Sequence, residues 1–296
     1  MNFGTGLAFY IIYIQCQTGL DYFFNNFIFY FISLFLFLFF KTYNIMEGTV
    51  DPDLIIQEIS TSKNKVKVSE YQKEHIIPKH PFRGILSGRS GSGKSNLLIN
   101  LLTNKKFYKD FFDIIFLISP TAGKLDDSYI ALEESKQKSK VAIINVLDPE
   151  TIEDIMEINK DLIEEHGVDK APRILMCYDD IISDTKFMNS RPFTHSFVAS
   201  RHYNASVIVC TQRFNSVPRV CRLQANAIFY FKGTNSEQET LAQEFCPAGY
   251  HWRKEFQPII DHATNEKYSF LFINGQADRE HQYRIGLHKI MSLVRS

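Results

Sequence analysis

One stretch, residues 82–102 (FRGILSGRSGSGKSNLLINLL), limits what this chain can fold into more than any other. Gly88, Gly93, Lys94 and Ser95 fill the fixed positions of G-x-x-x-x-G-K-[ST], the phosphate-binding P-loop. Gly88, Gly91 and Gly93 allow backbone turns that a Cβ would obstruct, so successive N–H groups can curl around phosphate oxygens. The segment Gly88, Arg89, Ser90, Gly91, Ser92, Gly93, Lys94, Ser95 and Asn96 is therefore the expected nucleotide-binding loop. Lys94 is placed to reach the β- and γ-phosphates of ATP, and the Ser95 hydroxyl to ligate Mg²⁺. The flanks agree. Gly84-Ile85-Leu86 can end a buried strand, and Leu97, Leu98, Leu101 and Leu102 give the following helix one apolar face. That helix points its positive end at the same anion.

Further along, residues 113–119 (DIIFLIS) form a continuous apolar run closed by Pro120, as in a buried parallel strand, and residues 141–147 are expected to form another. Asp148-Pro149-Glu150 combines a cap, a proline and an acidic first turn, predicting a helix to about Glu165 that Gly167 stops. Residues 173–180 (RILMCYDD) are an apolar strand ending in two carboxylates. Behind a P-loop this is the pattern of a Walker B strand. Asp179 is then expected in the Mg²⁺ shell, and Asp180 as the base that orients and deprotonates the attacking water. A helix is expected over 186–200, interrupted or started late at Pro192. Strands are expected at 205–211 (ASVIVCT, ending at Gln212), 225–231 and 268–273, with a helix from about 235 and a charged tail after 276. Alternating strands and helices predict an α/β fold with a mostly parallel central sheet flanked by helices. Ligands in such sheets bind beyond the carboxyl ends of the strands, where the P-loop, Asp179, Asp180 and Gln212 all fall.

The 296 residues carry no net charge, so no global basic field points to nucleic acid. Five cysteines (16, 177, 210, 221 and 246) show no CxxC pair and no zinc-ligand spacing, and read as reduced thiols. Residues 1–45 differ from all that follows, with Asp21 and Lys41 their sole Asp, Glu, Lys or Arg residues and an apolar run at 27–40. With Phe23 and Phe24 the run approaches the ~20 residues of a membrane span. Two readings stay open: a membrane anchor, or a translated leader from A/T-rich DNA that ends before Met46, the latter preferred. Residues 46–80 read as an arm or linker, 81–275 as the P-loop core and 276–296 as a tail.

Residues 200–231 (SRHYNASVIVCTQRFNSVPRVCRLQANAIFYF) resemble the FtsK/HerA superfamily of DNA-pumping ATPases. Arg201, Thr211-Gln212-Arg213 and Ala225-Asn226 occur in that family's order. The short core, the Asp-Asp Walker B and Arg201-His202 look most like genome-packaging ATPases of large DNA viruses, virophages and Polinton-type elements. The resemblance implies a RecA-like (ASCE) core with sheet order 5-1-4-3-2, Gln212 as a γ-phosphate sensor, and Arg201 as an arginine finger acting on a neighbour's nucleotide. Arg213 and Arg222 are rival fingers. Asp180 stands where many relatives carry Glu, a shorter reach for the base.

What the resemblance implies is an ATP-hydrolysing translocase of double-stranded DNA, assembled as a homo-oligomeric ring. It would work with capsid proteins at sites of virion assembly in host cytoplasm or nucleus, or in the virion. Lys186, Arg191, Arg213 and Arg219 are the candidate DNA phosphate contacts. The alternatives are a P-loop kinase, which has no use for Gln212 at a central strand end, and a membrane-anchored signalling NTPase, which needs residues 1–45.

Overall fold

Most of the expected apolar runs become strands buried on both faces; the run expected at 141–147 instead forms a shorter, partly exposed edge strand, Lys140–Ile144. In the computed structural model, residues 74–121 and 138–291 are described, together with Gln72, Leu132 and Ser135. The anchor-or-leader reading of residues 1–45 and most of the arm lie outside them. All described residues belong to one compact unit, Lys63–Ser296.

Nine strands among the described residues share one sheet: β1 (Arg83–Ser87), β2 (Ile114–Ile118), β3 (Lys140–Ile144), β4 (Ile174–Asp179), β5 (Ala205–Thr211), β6 (Ala227–Phe231), β7 (Phe270–Asn274), β8 (Tyr283–Ile285) and β9 (Lys289–Ile290). Their order is β3-β2-β4-β5-β1-β6-β7-β8-β9. Strands β3 through β6 in that order are parallel, and β7, β8 and β9 add antiparallel. The implied 5-1-4-3-2 order lies inside this longer one, read as β6-β1-β5-β4-β2. The difference is one extra strand on one side, β3 outside β2, and three on the other, the β7–β9 meander beyond β6.

Side chains alternate between two cores. Ile85, Met176, Tyr178, Val207, Val209, Ile228 and Tyr230 face one; Leu86, Leu175, Cys177, Ile208, Cys210 and Phe229 face the other. Period-2 alternation with apolar residues on both faces is what a covered parallel sheet requires. Helix α1 (Lys94–Thr103) covers the second face with Leu98, Leu101 and Leu102. The first face is covered by α2 (Pro149–His166), α4 (Arg191–Val198), α5 (Arg219–Gln224), α6 (Asn235–Phe245) and α7 (Gln257–Ala263).

The helix expected over 186–200 is two pieces. A short α3 (Thr185–Met188) ends at Asn189, Ser190 caps α4 with its hydroxyl, and Pro192 lies in the first turn of α4. A 3₁₀ turn, Ser200–Tyr203, then carries Arg201. The tail reading also needs correction. Tyr283 and Arg284 are buried, and β8 and β9 pair onto the sheet edge.

Candidate active site

The phosphate loop is anchored before it turns. Strand β1 lies between β5 and β6, and the Gly88 N–H donates to the Thr211 carbonyl at 3.1 Å, tying the loop's start to the end of β5. Gly88 is required by packing: a Cβ there would meet Phe231 Cβ at 2.6 Å and Ser92 Oγ at 2.7 Å. Gly91 and Gly93 are required by conformation, with φ of 72° and 103°. Gly93 is the N-cap of α1, which receives no side-chain cap and has no acidic residue in its first turn. By contrast, Asp148 caps α2 with its carboxylate, and Thr234 and Glu237 form a capping box on α6. The uncapped N–H groups of α1 leave its positive end to an external anion.

Lys94 folds back across the loop, donating to the Gly88 carbonyl at 2.7 Å and the Arg89 carbonyl at 3.0 Å. Burial lowers the pKa of its ammonium, while Cys210, Asp179 and Asp180 pull it back up. A pocket of about 420 Å³ opens beside it. Ser90, Gly91, Gly93, Lys94, Ser95 and Asn96 form one wall, and Thr121, Asp179, Asp180, Cys210, Thr211 and Gln212 the other. Gly88, Arg89 and Ser92 shape the loop from behind. Asp179 is the last residue of β4, and Asp180 follows in the left-handed conformation, φ 54° and ψ 28°. Gln212 directly follows β5. The loop beyond it is held by Thr211, whose hydroxyl accepts from the Arg213 N–H at 3.2 Å.

The Phe214 N–H donates to Glu237 Oε1 at 3.0 Å, and Glu237 Oε2 accepts from the Thr234 N–H and hydroxyl at 2.7 and 2.8 Å. Glu237 thus fastens the segment after Gln212 to the start of α6. Sequence reasoning missed it, although Thr234-x-x-Glu237 is a capping-box spacing. Thr121 and Cys210 carried no signal of their own.

The arginines separate. Arg222 is buried; its guanidinium donates twice to Glu244, both at 2.8 Å, and to the Val217 carbonyl at 2.6 Å. A guanidinium so occupied is a structural tie, which removes Arg222 as a rival finger. Arg201 is exposed in the turn that enters the amino end of β5, whereas Gln212 leaves its carboxyl end. A seven-residue strand separates them, roughly 20 Å. Arg201 does not line the pocket of its own chain. The four candidate DNA contacts are not gathered on one element. Lys186 lies on α3, and Arg213 lies in the loop after β5; both are exposed. Arg191 shares a small cleft with Glu153 and Glu157, and Arg219 approaches Glu244 at 3.8 Å. Acidic neighbours weaken the latter two as phosphate contacts.

A model of the poxvirus A32 protein family matches residues 68–246, from before β1 through α6. The chain belongs to this family. Among curated relatives, the DNA packaging protein OPG160 of monkeypox virus is 27% identical over 187 residues, covering 63% of this chain and 59% of that protein. Its counterpart from vaccinia virus (strain Copenhagen) is 27% identical over 191 residues, covering 63% of this chain and 66% of that protein. The chain thus spans about three fifths to two thirds of the relatives it matches. Among solved structures, the genome packaging NTPase B204 of Sulfolobus turreted icosahedral virus 2, in complex with AMP, has a TM-score of 0.48 at 15% identity. The match covers 69% of this chain and 96% of that one. The matched residues 68–246 include the P-loop, Asp179, Asp180 and Gln212.

Proposed function

We propose that this chain is an ATP-hydrolysing motor that moves double-stranded DNA, packaging a viral genome into a capsid. The observation that carries the reading is the single pocket in which the P-loop, Asp179, Asp180 and Gln212 meet. Binding and hydrolysis need the first three. Gln212, just past the end of the strand between the P-loop and Walker B strands, supplies a group that can respond to the γ-phosphate. The packaging relatives supply the direction of the work.

Ser95, Asp179 and Asp180 present hydroxyl and carboxylate oxygens to the same pocket, the donor set that Mg²⁺ takes beside substrate phosphates. Ser95 and Asp179 would hold the ion, which when bound neutralises charge on the β- and γ-phosphoryl oxygens. The chain's own groups do the rest. Loop N–H groups and α1 orient the phosphates, and Lys94 exchanges its two carbonyl partners for phosphate oxygens. Asp180 accepts the proton of the attacking water. Arg201 acts on a neighbour's nucleotide, which requires a closed head-to-tail ring. DNA is held through phosphates, with Lys186 and Arg213 the better placed of the four candidates, and the motor works at virion assembly sites with capsid proteins.

The deciding measurement is ATP hydrolysis with and without linear duplex DNA. A motor hydrolyses faster with DNA. A rate indifferent to DNA would favour the kinase or signalling alternative and remove translocation from the reading.

A further inference from the structure

A second cleft, of about 400 Å³, continues from the phosphate pocket along the side of α1. Gly93 and Asn96 line both cavities; Leu97, Asn100, Phe231, Tyr268 and Phe270 complete the second. The first wall is polar loop and carboxylates, whereas this one is mainly apolar and aromatic. Tyr268 stands out. It is 58% exposed in a fold that buries most of its aromatic rings. It also holds φ 66°, a left-handed conformation that bulky side chains rarely adopt.

The surroundings fix that conformation. The Ser269 N–H donates to the Glu266 carbonyl at 3.1 Å, the Ser269 hydroxyl donates to the Ala263 carbonyl at 2.7 Å, and Phe270 begins β7. A turn fastened at both ends thus presents an aromatic ring to solvent beside the phosphate loop. The ring starts where the loop stops: a Cβ built on Gly93 would lie 3.4 Å from Tyr268 Cδ1 and 3.7 Å from Phe231 Cε1. Lys267 Nζ lies over one face of the ring, 4.8 Å from its centroid, adding a cation to the site. At the rim, Asn100 Nδ2 donates to the Asn96 carbonyl at 2.8 Å, which leaves Asn100 Oδ1 as an acceptor for a ligand's amino group.

We infer that this cleft is the nucleobase subsite, in which the base of the bound nucleoside triphosphate stacks on Tyr268. The inference rests on the nucleotide reading proposed above. An occupant continuous with a triphosphate must be flat, apolar on its faces and polar at its edge. A nucleobase is all three, and its π-face finds the one exposed ring beside the loop among the described residues.

The experiment compares binding of ATP and of inorganic tripolyphosphate to the 296-residue chain, with Mg²⁺ in both, for the parent and for Tyr268→Asn and Tyr268→Phe. Asparagine is chosen because it tolerates φ near 66° while removing the ring. Tyr268→Asn is expected to weaken ATP roughly 5- to 150-fold, the range that about 1–3 kcal/mol of base–aromatic stacking gives at 1.4 kcal/mol per decade. Tripolyphosphate binding should stay at the parent value, and Tyr268→Phe should match the parent for both. Equal losses for both ligands would show that the ring supports the loop and overturn the subsite, as would no loss for either. A parent that binds tripolyphosphate as tightly as ATP keeps the phosphate site and overturns the base subsite. A parent that binds neither removes the nucleotide reading, and this one with it.

Discussion

Asp180 is a carboxylate at a position where the main chain turns left-handed, a conformation Asp and Asn adopt more readily than most residues. Asp180→Asn keeps that tolerance and the side-chain volume while removing the base. Such a variant should bind Mg·ATP like the parent and hydrolyse it roughly 10²-fold or more slowly, in single-turnover measurements. Parent-rate hydrolysis would remove Asp180 as the base. A different polar residue governs acid stability. His80 is buried, with Nδ1 2.7 Å from Ser206 Oγ and Nε2 3.0 Å from Asn204 Oδ1. Asn204 Nδ2 donates to the Ala171 and Pro172 carbonyls, so its Oδ1 faces the ring and can only accept; the neutral ring therefore donates from Nε2, and Nδ1 accepts the Ser206 hydroxyl. Burial lowers its pKa from 6.5 to about 4, partly opposed by the Asn204 hydrogen bond. The unfolded chain therefore takes up a proton that the native one refuses. The His80 contribution to stability is complete above pH about 6.5 and falls toward pH 4 by as much as about 3 kcal/mol. Urea midpoints across that window should decline, and His80→Gln should flatten the slope. Motif spacing made Lys94, Ser95 and the two aspartates legible in the sequence. His80 and Tyr268 were not legible, because burial and backbone conformation set their roles.

Among the elements, those written in local pattern were found where expected: α1 behind the glycines, α2 between Asp148 and Gly167, and β5 as an unbroken apolar run. Those made by long-range pairing were missed. Strand β8 is three residues, Tyr-Arg-Ile, and gains its identity from antiparallel partners on β7. The five-residue π-helical turn Trp252–Phe256, which leads into α7, carries no repeat long enough to read. Helix α6 shows how an element reaches the chemistry. Its residue Glu237 both caps the helix and holds the buried N–H of Phe214, two residues beyond Gln212. Glu237→Ala orphans that donor and the cap together, for an expected loss of about 2–3 kcal/mol in urea unfolding. Glu239→Ala on the same helix removes an exposed ion pair with Arg253 and should stay within about 0.5 kcal/mol of the parent. Equal effects of the two substitutions would show that the Phe214 link contributes nothing.

Across the whole molecule, the chemistry of the pocket and Arg201 lie at opposite ends of β5. A trans finger predicts complementation. Arg201→Ala and Asp180→Asn should each be nearly inactive alone, since a finger in trans contributes about 10³ to 10⁵ in rate. Mixed and allowed to exchange subunits, they should regain part of the activity, as Asp180→Asn subunits lend Arg201 to neighbours with intact sites. Dilution below the assembly concentration should abolish the recovery. No recovery at any ratio, with exchange verified, would take Arg201 out of the trans role.

The buried thiols described in the two cores have a further use. Cys177 lies within β4, Cys210 in the pocket wall at the end of β5, and Cys221 on α5, and burial raises the pKa of each, Cys221 to about 12. A thiol that is both inaccessible and protonated reacts with an alkylating probe during openings of the structure around it. The chain is thus a set of clocks already installed at different depths. Followed by mass spectrometry peptide by peptide, Cys246, which is partly exposed, should be labelled before these three. Saturating ATP should slow Cys210 while leaving Cys221 at its own pace, so the ratio of the two rates times how often the nucleotide wall lets go.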